Sequence, residues 1–198
     1  MFYRIVLAEE FARCGSGGLS ASLNSHTIGL PPILAAGNGE LKRRVIPPVL
    51  RGEKISALAI TEPSGGSDVA ALKTTALRDG HHYVVNGEKT FITSGMRADF
   101  ITTAVRTDPN NNGASGISVL VIEGDTPGLT RTEPKKMGWW CSDTAHLRFD
   151  NCRVPVENLV GVANQVFKTI MAHFNMERLF MAAQAATYAE VCFIEALE

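Results

Sequence analysis

The hydrophobic pattern of the chain changes period twice, and this feature constrains the fold more than any single motif. Residues 2–13 and 20–28 carry apolar side chains at helical spacing, whereas short alternating stretches typical of β-strands begin at Ile55. Residues 163–198 return to helical spacing. The sequence therefore predicts an α+β fold with N-terminal helices, a central antiparallel β-domain of barrel or sandwich form, and the start of a C-terminal helical bundle.

These changes of period predict three regions. A partial N-terminal helical domain would span residues 1–54, the β-domain would span residues 55–158, and residues 159–198 would begin a C-terminal helical domain. In the first region, Asn38 is a candidate N-cap, and Pro47-Pro48 predict a separate short turn after the helix it caps.

The β-domain should consist of short strands separated by turns. Asp79-Gly80 and Asn86-Gly87 are turn pairs that favour positive φ, and both lie between alternating stretches. Gly87–Thr90 looks like the end of a phosphate-binding loop, but the full motif is absent, so we interpret it as part of a hairpin. The candidate strands are Ala57–Thr61, Leu72–Leu77, His82–Val85, Lys89–Thr93, Phe100–Arg106, Gly116–Ile122, Leu129–Glu133 and Ala145–Phe149.

Composition and charge exclude several classes of protein. A hydrophobic content of 45%, a net charge of −1 and no basic cluster argue against disorder, a membrane span and nucleic-acid binding. The four cysteines are widely scattered, so neither a disulfide framework nor a metal site is expected, and a reducing compartment fits best. Glu9 and Glu10 are unsuited to a signal or transit peptide, so we expect a cytoplasmic location if residue 1 is the natural start.

Two polar motifs in the β-domain point to a ligand. The first, Leu58–Asp68, runs from a short apolar strand into a glycine pair, whose backbone N–H groups can approach a ligand closely. In the second, strand alternation would send Phe91 and Thr93 to one face and Ile92 to the other. One aromatic ring and one hydroxyl on the same face could cover a planar heterocycle.

The motifs TEPSGGSD and FITSG, with NGEK between them and FDNCRVP later, closely resemble the middle domain of the acyl-CoA dehydrogenase family of flavoproteins. The resemblance covers essentially the whole chain and implies FAD as cofactor and an acyl-CoA as substrate. Phe91 departs from the family's more usual tryptophan, which reduces the stacking area and removes an N–H donor. The implied cofactor-binding residues are Leu58, Ala59, Ile60, Thr61, Gly66, Ser67, Phe91, Ile92 and Thr93, and the implied substrate-binding residues are Ser67, Asn175 and Arg178.

Glu177 is the candidate catalytic residue. The sequence predicts that Asn175 caps a second C-terminal helix, which puts Glu177 and Arg178 in its first turn, where acidic residues are common for structural reasons. The resemblance implies instead that Glu177 is the base that removes the α-proton of the acyl-CoA during fatty acid and lipid metabolism. The product would be the trans-2-enoyl-CoA, and the electrons would pass to an electron-transfer flavoprotein.

The resemblance leaves alternatives open. An acyl-CoA oxidase would have the same fold but pass electrons to oxygen. Family members are considerably longer, so the chain looks truncated at both ends. They form homo-oligomers, either dimers or tetramers, and the resemblance implies the same for the full-length protein. A truncated, non-catalytic remnant that acts as a binding module is therefore the third reading.

Overall fold

The computed structural model describes residues 2–197. The N-terminal helices are α1 (Phe2–Arg13), α2 (Gly17–Gly29), α3 (Pro31–Ala36) and α4 (Gly39–Leu50), and they are followed much later by α5 (Phe167–Leu197). The strands are β1 (Ser56–Ala59), β2 (Thr75–Asp79), β3 (His82–Thr93), β4 (Phe100–Arg106), β5 (Ile117–Glu123), β6 (Leu129–Thr132), β7 (Thr144–Pro155) and β8 (Leu159–Val160). The predicted α+β class is confirmed, while the three domain boundaries stay a prediction.

Helix α4 begins where the sequence predicts and continues further than predicted. The Asn38 side chain caps it by accepting a hydrogen bond from the Leu41 N–H at 2.8 Å. Pro47 and Pro48 lie inside this helix, so the separate turn predicted for them was wrong. The helix continues because Leu41, Val45 and Val49 repeat every four residues and form one buried face on both sides of the prolines.

The strands form one mixed sheet in the order β6-β7-β3-β2-β4-β5-β8, with β1 attached to β4. Most neighbours are antiparallel, but β1 and β2 pair with β4 in parallel. The Asp79-Gly80 turn between β2 and β3 is confirmed, with Gly80 at φ +59. The turn predicted at Asn86-Gly87 was wrong, because β3 runs through it as one strand with a register shift between Val85 and Gly87.

The two faces of the sheet carry two separate cores. Along β4, Ile101 and Val105 pack into a cluster with β3 and β7, whereas Phe100 and Ala104 pack into a cluster with α3, α4 and α5. Because β4 is buried along its whole length, its side chains are apolar or hydrogen-bonded on both faces. The second core therefore fixes α5 against the sheet.

Helix α5 is a single helix of 31 residues, so the cap predicted at Asn175 was wrong. The exposed Asn175 side chain accepts a hydrogen bond from Arg178 Nη1 at 3.0 Å instead of capping a helix. The helix does not restart because the residues on both sides of Asn175 are good helix formers with few β-branched side chains. Glu177 consequently lies mid-helix, far from a helix N-terminus. Within residues 2–197, no helix combines the length and the hydrophobicity needed to cross a bilayer.

Candidate active site

A cleft of about 460 Å³ lies between α5, the N-terminal helices and the sheet. The sheet side contributes Leu58 from β1 and Thr93 from the end of β3, and Trp139 lies beside them. Glu177 lines the opposite wall from α5. Three residues singled out from the sequence, Leu58, Thr93 and Glu177, are therefore brought to one cleft although up to 119 positions separate them.

Glu177 faces the cleft because of the helical period of α5. Ile170, Phe174, Glu177 and Met181 recur every three or four residues and form the cleft-lining stripe of the helix. Burial raises the pKa of the Glu177 carboxyl, and the charge of Arg178 opposes this only in part. A carboxyl in this environment holds a proton more strongly than an exposed glutamate does, as a general base for a weakly acidic C–H must.

His173 stands one helical turn before Glu177 on the same wall of the cleft. Its Nε2 atom is enclosed and has no hydrogen-bond partner within the described residues. The sequence did not single out this histidine. The helical spacing of four residues to Glu177 is the signal that would have found it.

Asn175 and Arg178 face away from the cleft, and neither is among its lining residues. They interact with each other, and the Arg178 guanidinium also lies 6.0 Å from the centre of the Phe174 ring, within range of a cation–π contact. Ser67 is exposed on the loop after β1 and likewise does not line the cleft. Their substrate-binding roles stay predictions.

Thr61 and Thr93 present hydroxyl groups that the protein itself does not use. Neither hydroxyl has a hydrogen-bond partner among residues 2–197, and both side chains are partly exposed. A Cβ atom at Gly66 would lie 3.0 Å from Thr61 Cγ2 and 3.3 Å from Thr61 Oγ1, so glycine is what lets this loop lie close to the threonine. Two hydroxyls, and a glycine in place of a larger residue beside Thr61, fit the polar edge of a planar heterocycle.

Phe91 lies within a β-bulge that ends just before Thr93. Lys89 pairs with Leu147 and Ile92 with Ala145, so β3 has one residue more than β7 over this stretch. Phe91 has φ +58 and is 69% exposed, and it does not line the cleft. Ile92 is buried as the alternation predicts, but the single face expected for Phe91 and Thr93 was wrong, because the bulge turns the aromatic ring outward.

Ala59, Ile60 and Ile92 have buried side chains that belong to the two cores. Only their backbone groups are available to a ligand. Their predicted contacts with the cofactor would therefore be made by backbone N–H and C=O groups.

A buried ion pair holds the backbone beside Thr61. The Lys89 ammonium donates to Glu62 Oε1 at 2.8 Å and to the Ile60 carbonyl at 2.9 Å, and the two side chains are 0% and 4% exposed. Glu62 also accepts from the backbone N–H groups of Lys73 at 2.6 Å and Thr74 at 2.9 Å. The pair thus ties β3 to both ends of the loop that carries the glycine pair.

Burial lowers the pKa of Lys89 to about 8, although Glu62 opposes this shift. For Glu62, burial alone would raise the pKa, but the Lys89 charge and the three hydrogen bonds together hold it below its usual range. Both groups are therefore charged at neutral pH. Nothing local in the sequence signals this pair, because Lys89 stands between Glu88 and Thr90 in a stretch that we interpret as part of a hairpin.

Comparison with known proteins gives two matches along the chain. Residues 57–152 match the family model described as acyl-CoA dehydrogenase, middle domain, and residues 1–53 match the model for the N-terminal domain. Among curated proteins, the chain is similar to acyl-CoA dehydrogenase AFT10-1 of Alternaria alternata, with 40% identity over 100% of this chain and 45% of the relative.

Solved structures agree with these matches. The fold is similar to a putative acyl-CoA dehydrogenase from Mycobacterium smegmatis, with a TM-score of 0.90 and 50% identity over 95% of this chain and 49% of that chain. It is also similar to a chain in the structure of the electron-transferring flavoprotein of Acidaminococcus fermentans, with a TM-score of 0.87 and 36% identity over 94% and 49% of the two chains. The chain spans about half the length of the curated relatives it matches.

Proposed function

The chain belongs to the acyl-CoA dehydrogenase family, and we propose that it serves the FAD-dependent α,β-dehydrogenation of an acyl-CoA thioester to the trans-2-enoyl-CoA. The observation that carries the proposal is the position of Glu177, which faces Leu58 and Thr93 across one cleft. The thioester would lie between this carboxylate and the sheet edge.

Glu177 is proposed to remove the α-proton. The burial that raises its pKa supports this role, because a more basic carboxylate is a better acceptor for a proton from carbon. Phe174, one turn before Glu177 on the cleft wall, would help to exclude water from the proton being transferred.

Thr61, Thr93 and the backbone around Gly66 are the residues proposed to hold FAD. Their free hydroxyls and the open loop support this assignment, and the buried pair of Lys89 and Glu62 fixes the backbone that carries Thr61. FAD, when bound, supplies the acceptor for the hydride that leaves the β-carbon.

We propose an electron-transfer flavoprotein as the electron acceptor, supported by the similarity to a chain in the Acidaminococcus structure. A homo-oligomer is proposed because apolar side chains of α1 and α5 are exposed, among them Phe2 at 74% and Phe193 at 66%. A cytoplasmic setting is proposed because all four cysteines are free.

The test is single-turnover bleaching of the yellow flavin band when an acyl-CoA is added to the chain loaded with FAD. Wild type should bleach, and Glu177→Gln should bleach about 100- to 10,000-fold more slowly because the general base is lost. Glu195→Gln is the matched control, because Glu195 is an exposed glutamate on the same helix, and it should behave as wild type. Equal rates for wild type and Glu177→Gln would contradict the proposed role.

The acceptor is tested in the same preparation. Re-oxidation of the bleached flavin by an electron-transfer flavoprotein, with slow re-oxidation in air, supports a dehydrogenase. Rapid re-oxidation by dissolved oxygen supports the oxidase alternative.

A further inference from the structure

A polar bridge of Ser20, Asn24 and Gln184 connects α2 and α5 across the cleft beyond Glu177. The Gln184 Nε2 atom donates to Ser20 Oγ, and Asn24 Nδ2 donates to the Ser20 carbonyl at 2.8 Å. All three bridge residues line the cleft. One turn beyond Gln184, the Tyr188 hydroxyl is enclosed, so packed side chains back the bridge on its far side.

The part of the cleft between Glu177 and the polar bridge is apolar. Phe180 lines it from α5, and Ala21 lines it from α2. In the opposite direction along α5, Ile170 is 1% exposed and packs into the second core, which closes that side. An alkyl chain that starts at Glu177 therefore extends towards Gln184.

The separation of Glu177 and Gln184 sets a length for this chain. Gln184 follows Glu177 by seven residues, which at the helical rise is about 10 Å. An extended chain of single bonds advances about 1.2 Å per bond, as the extended backbone does, so about eight bonds cover this distance. The proposed function puts the α-carbon of the acyl group beside Glu177, and about eight bonds further on is about the tenth carbon.

We infer that the polar bridge ends the part of the cleft that takes the acyl chain, so that the protein selects acyl groups of up to about ten carbons, with Gln184 as the residue that sets this limit. This inference rests on the proposed function and adds the class of acyl group to it. A longer chain would have to displace the Gln184 amide from Ser20, and losing a hydrogen bond in a partly enclosed place weakens binding about fivefold or more. One further methylene recovers only about fourfold.

The test is calorimetric titration of the chain loaded with FAD. The ligands are saturated acyl-CoAs with acyl chains of six, eight, ten, twelve and fourteen atoms, in which sulfur replaces the β-carbon so that no hydride leaves. For wild type we expect binding to tighten about tenfold per step up to ten atoms and to tighten no further beyond that length.

Two variants locate the limit. In Gln184→Ala the side chain no longer reaches Ser20, so binding should continue to tighten by at least one further step, to twelve atoms. Gln165→Ala is the matched control, because Gln165 is exposed and is not among the residues that line the cleft. It should keep the wild-type limit at ten atoms.

The outcomes separate the inference from the proposed function. Binding by wild type that tightens steadily up to fourteen atoms, or that stops tightening before eight, would overturn the inference and leave the proposed function standing. An equal loss of affinity for all five ligands in Gln184→Ala, with the limit still at ten atoms, would overturn the role of Gln184. Failure of all five ligands to bind to wild type would overturn both the inference and the proposed function. The series on wild type decides the length limit without any variant.

Discussion

Lys89→Met should lower the free energy of unfolding by about 3–5 kcal/mol, the usual cost of breaking a buried ion pair from one side. The magnitude follows from the geometry. The ammonium is 0% exposed and makes two hydrogen bonds, to Glu62 Oε1 at 2.8 Å and to the Ile60 carbonyl at 2.9 Å. Methionine fills much of the same volume, so the loss comes from the Glu62 carboxylate and the Ile60 carbonyl left without their donor.

The assay is urea-induced unfolding followed by circular dichroism. The free energy of unfolding should depend on urea concentration with the same slope in wild type and variants, so that differences in midpoint report differences in stability. Arg51→Met is the matched control, because it removes a cation from the exposed pair of Arg51 and Glu53. Exposed pairs contribute little, so no measurable change is expected for the control.

A double variant separates the ion pair from the network around it. In Lys89→Met/Glu62→Leu the uncompensated charge is gone, but the N–H groups of Lys73 and Thr74 lose their acceptor, so stability should not return to the wild-type value. A loss for Lys89→Met no larger than that for Arg51→Met would refute the reasoning, and full recovery in the double variant would refute the role given to the backbone donors.

Two further predictions concern Glu177 and Gly87. Because the pKa of Glu177 is raised in the folded protein, its contribution to stability is fully present below the unfolded pKa and is lost as pH rises through the folded pKa. Glu177→Gln should therefore be more stable than wild type at neutral pH, and this advantage should be absent below about pH 4. Urea titrations of both proteins across this pH range measure the difference. Gly87→Ala should lower the unfolding free energy by about 1–3 kcal/mol, since Gly87 has φ +143 and an added Cβ would lie 2.7 Å from Thr74 Cα. Gly138→Ala, with no atom within 4 Å of an added Cβ, is its control and should change little; equal losses for the two glycines would contradict the strain argument.

The sequence alone predicted the features that depend on residues close together in the chain. The period of the hydrophobic pattern located the helices and most strands. The Asn38 cap and the Asp79-Gly80 turn follow from residue preferences that act within a few positions. The two motifs and Glu177 were found because recognisable residue patterns carry them. Their meeting in one cleft was not predicted, since no local signal joins Leu58 or Thr93 to α5.

The errors arose where tertiary packing outweighs local preference. Asn86-Gly87 has the residues of a tight turn, yet pairing with β7 on one side carries β3 through it as a bulge. Asn175 has the residue type of a cap, yet α5 continues through it because Ile170 and Phe174 before it pack into the second core and the residues that follow it are good helix formers. Lys89 was missed because nothing in a single strand shows that a glutamate 27 positions earlier will be buried against it.

The most direct test of the central claim is hydrogen exchange at the α-carbon of a bound thioester. The ligand is an acyl-CoA whose β-carbon is replaced by sulfur, so that no hydride can leave, and deuterium uptake from heavy water is followed by NMR. The account predicts exchange catalysed by wild type and by the exposed-site control Glu195→Gln, and exchange reduced to the uncatalysed rate in Glu177→Gln. Exchange at the wild-type rate in Glu177→Gln would show that another group removes the proton, and it would contradict the account.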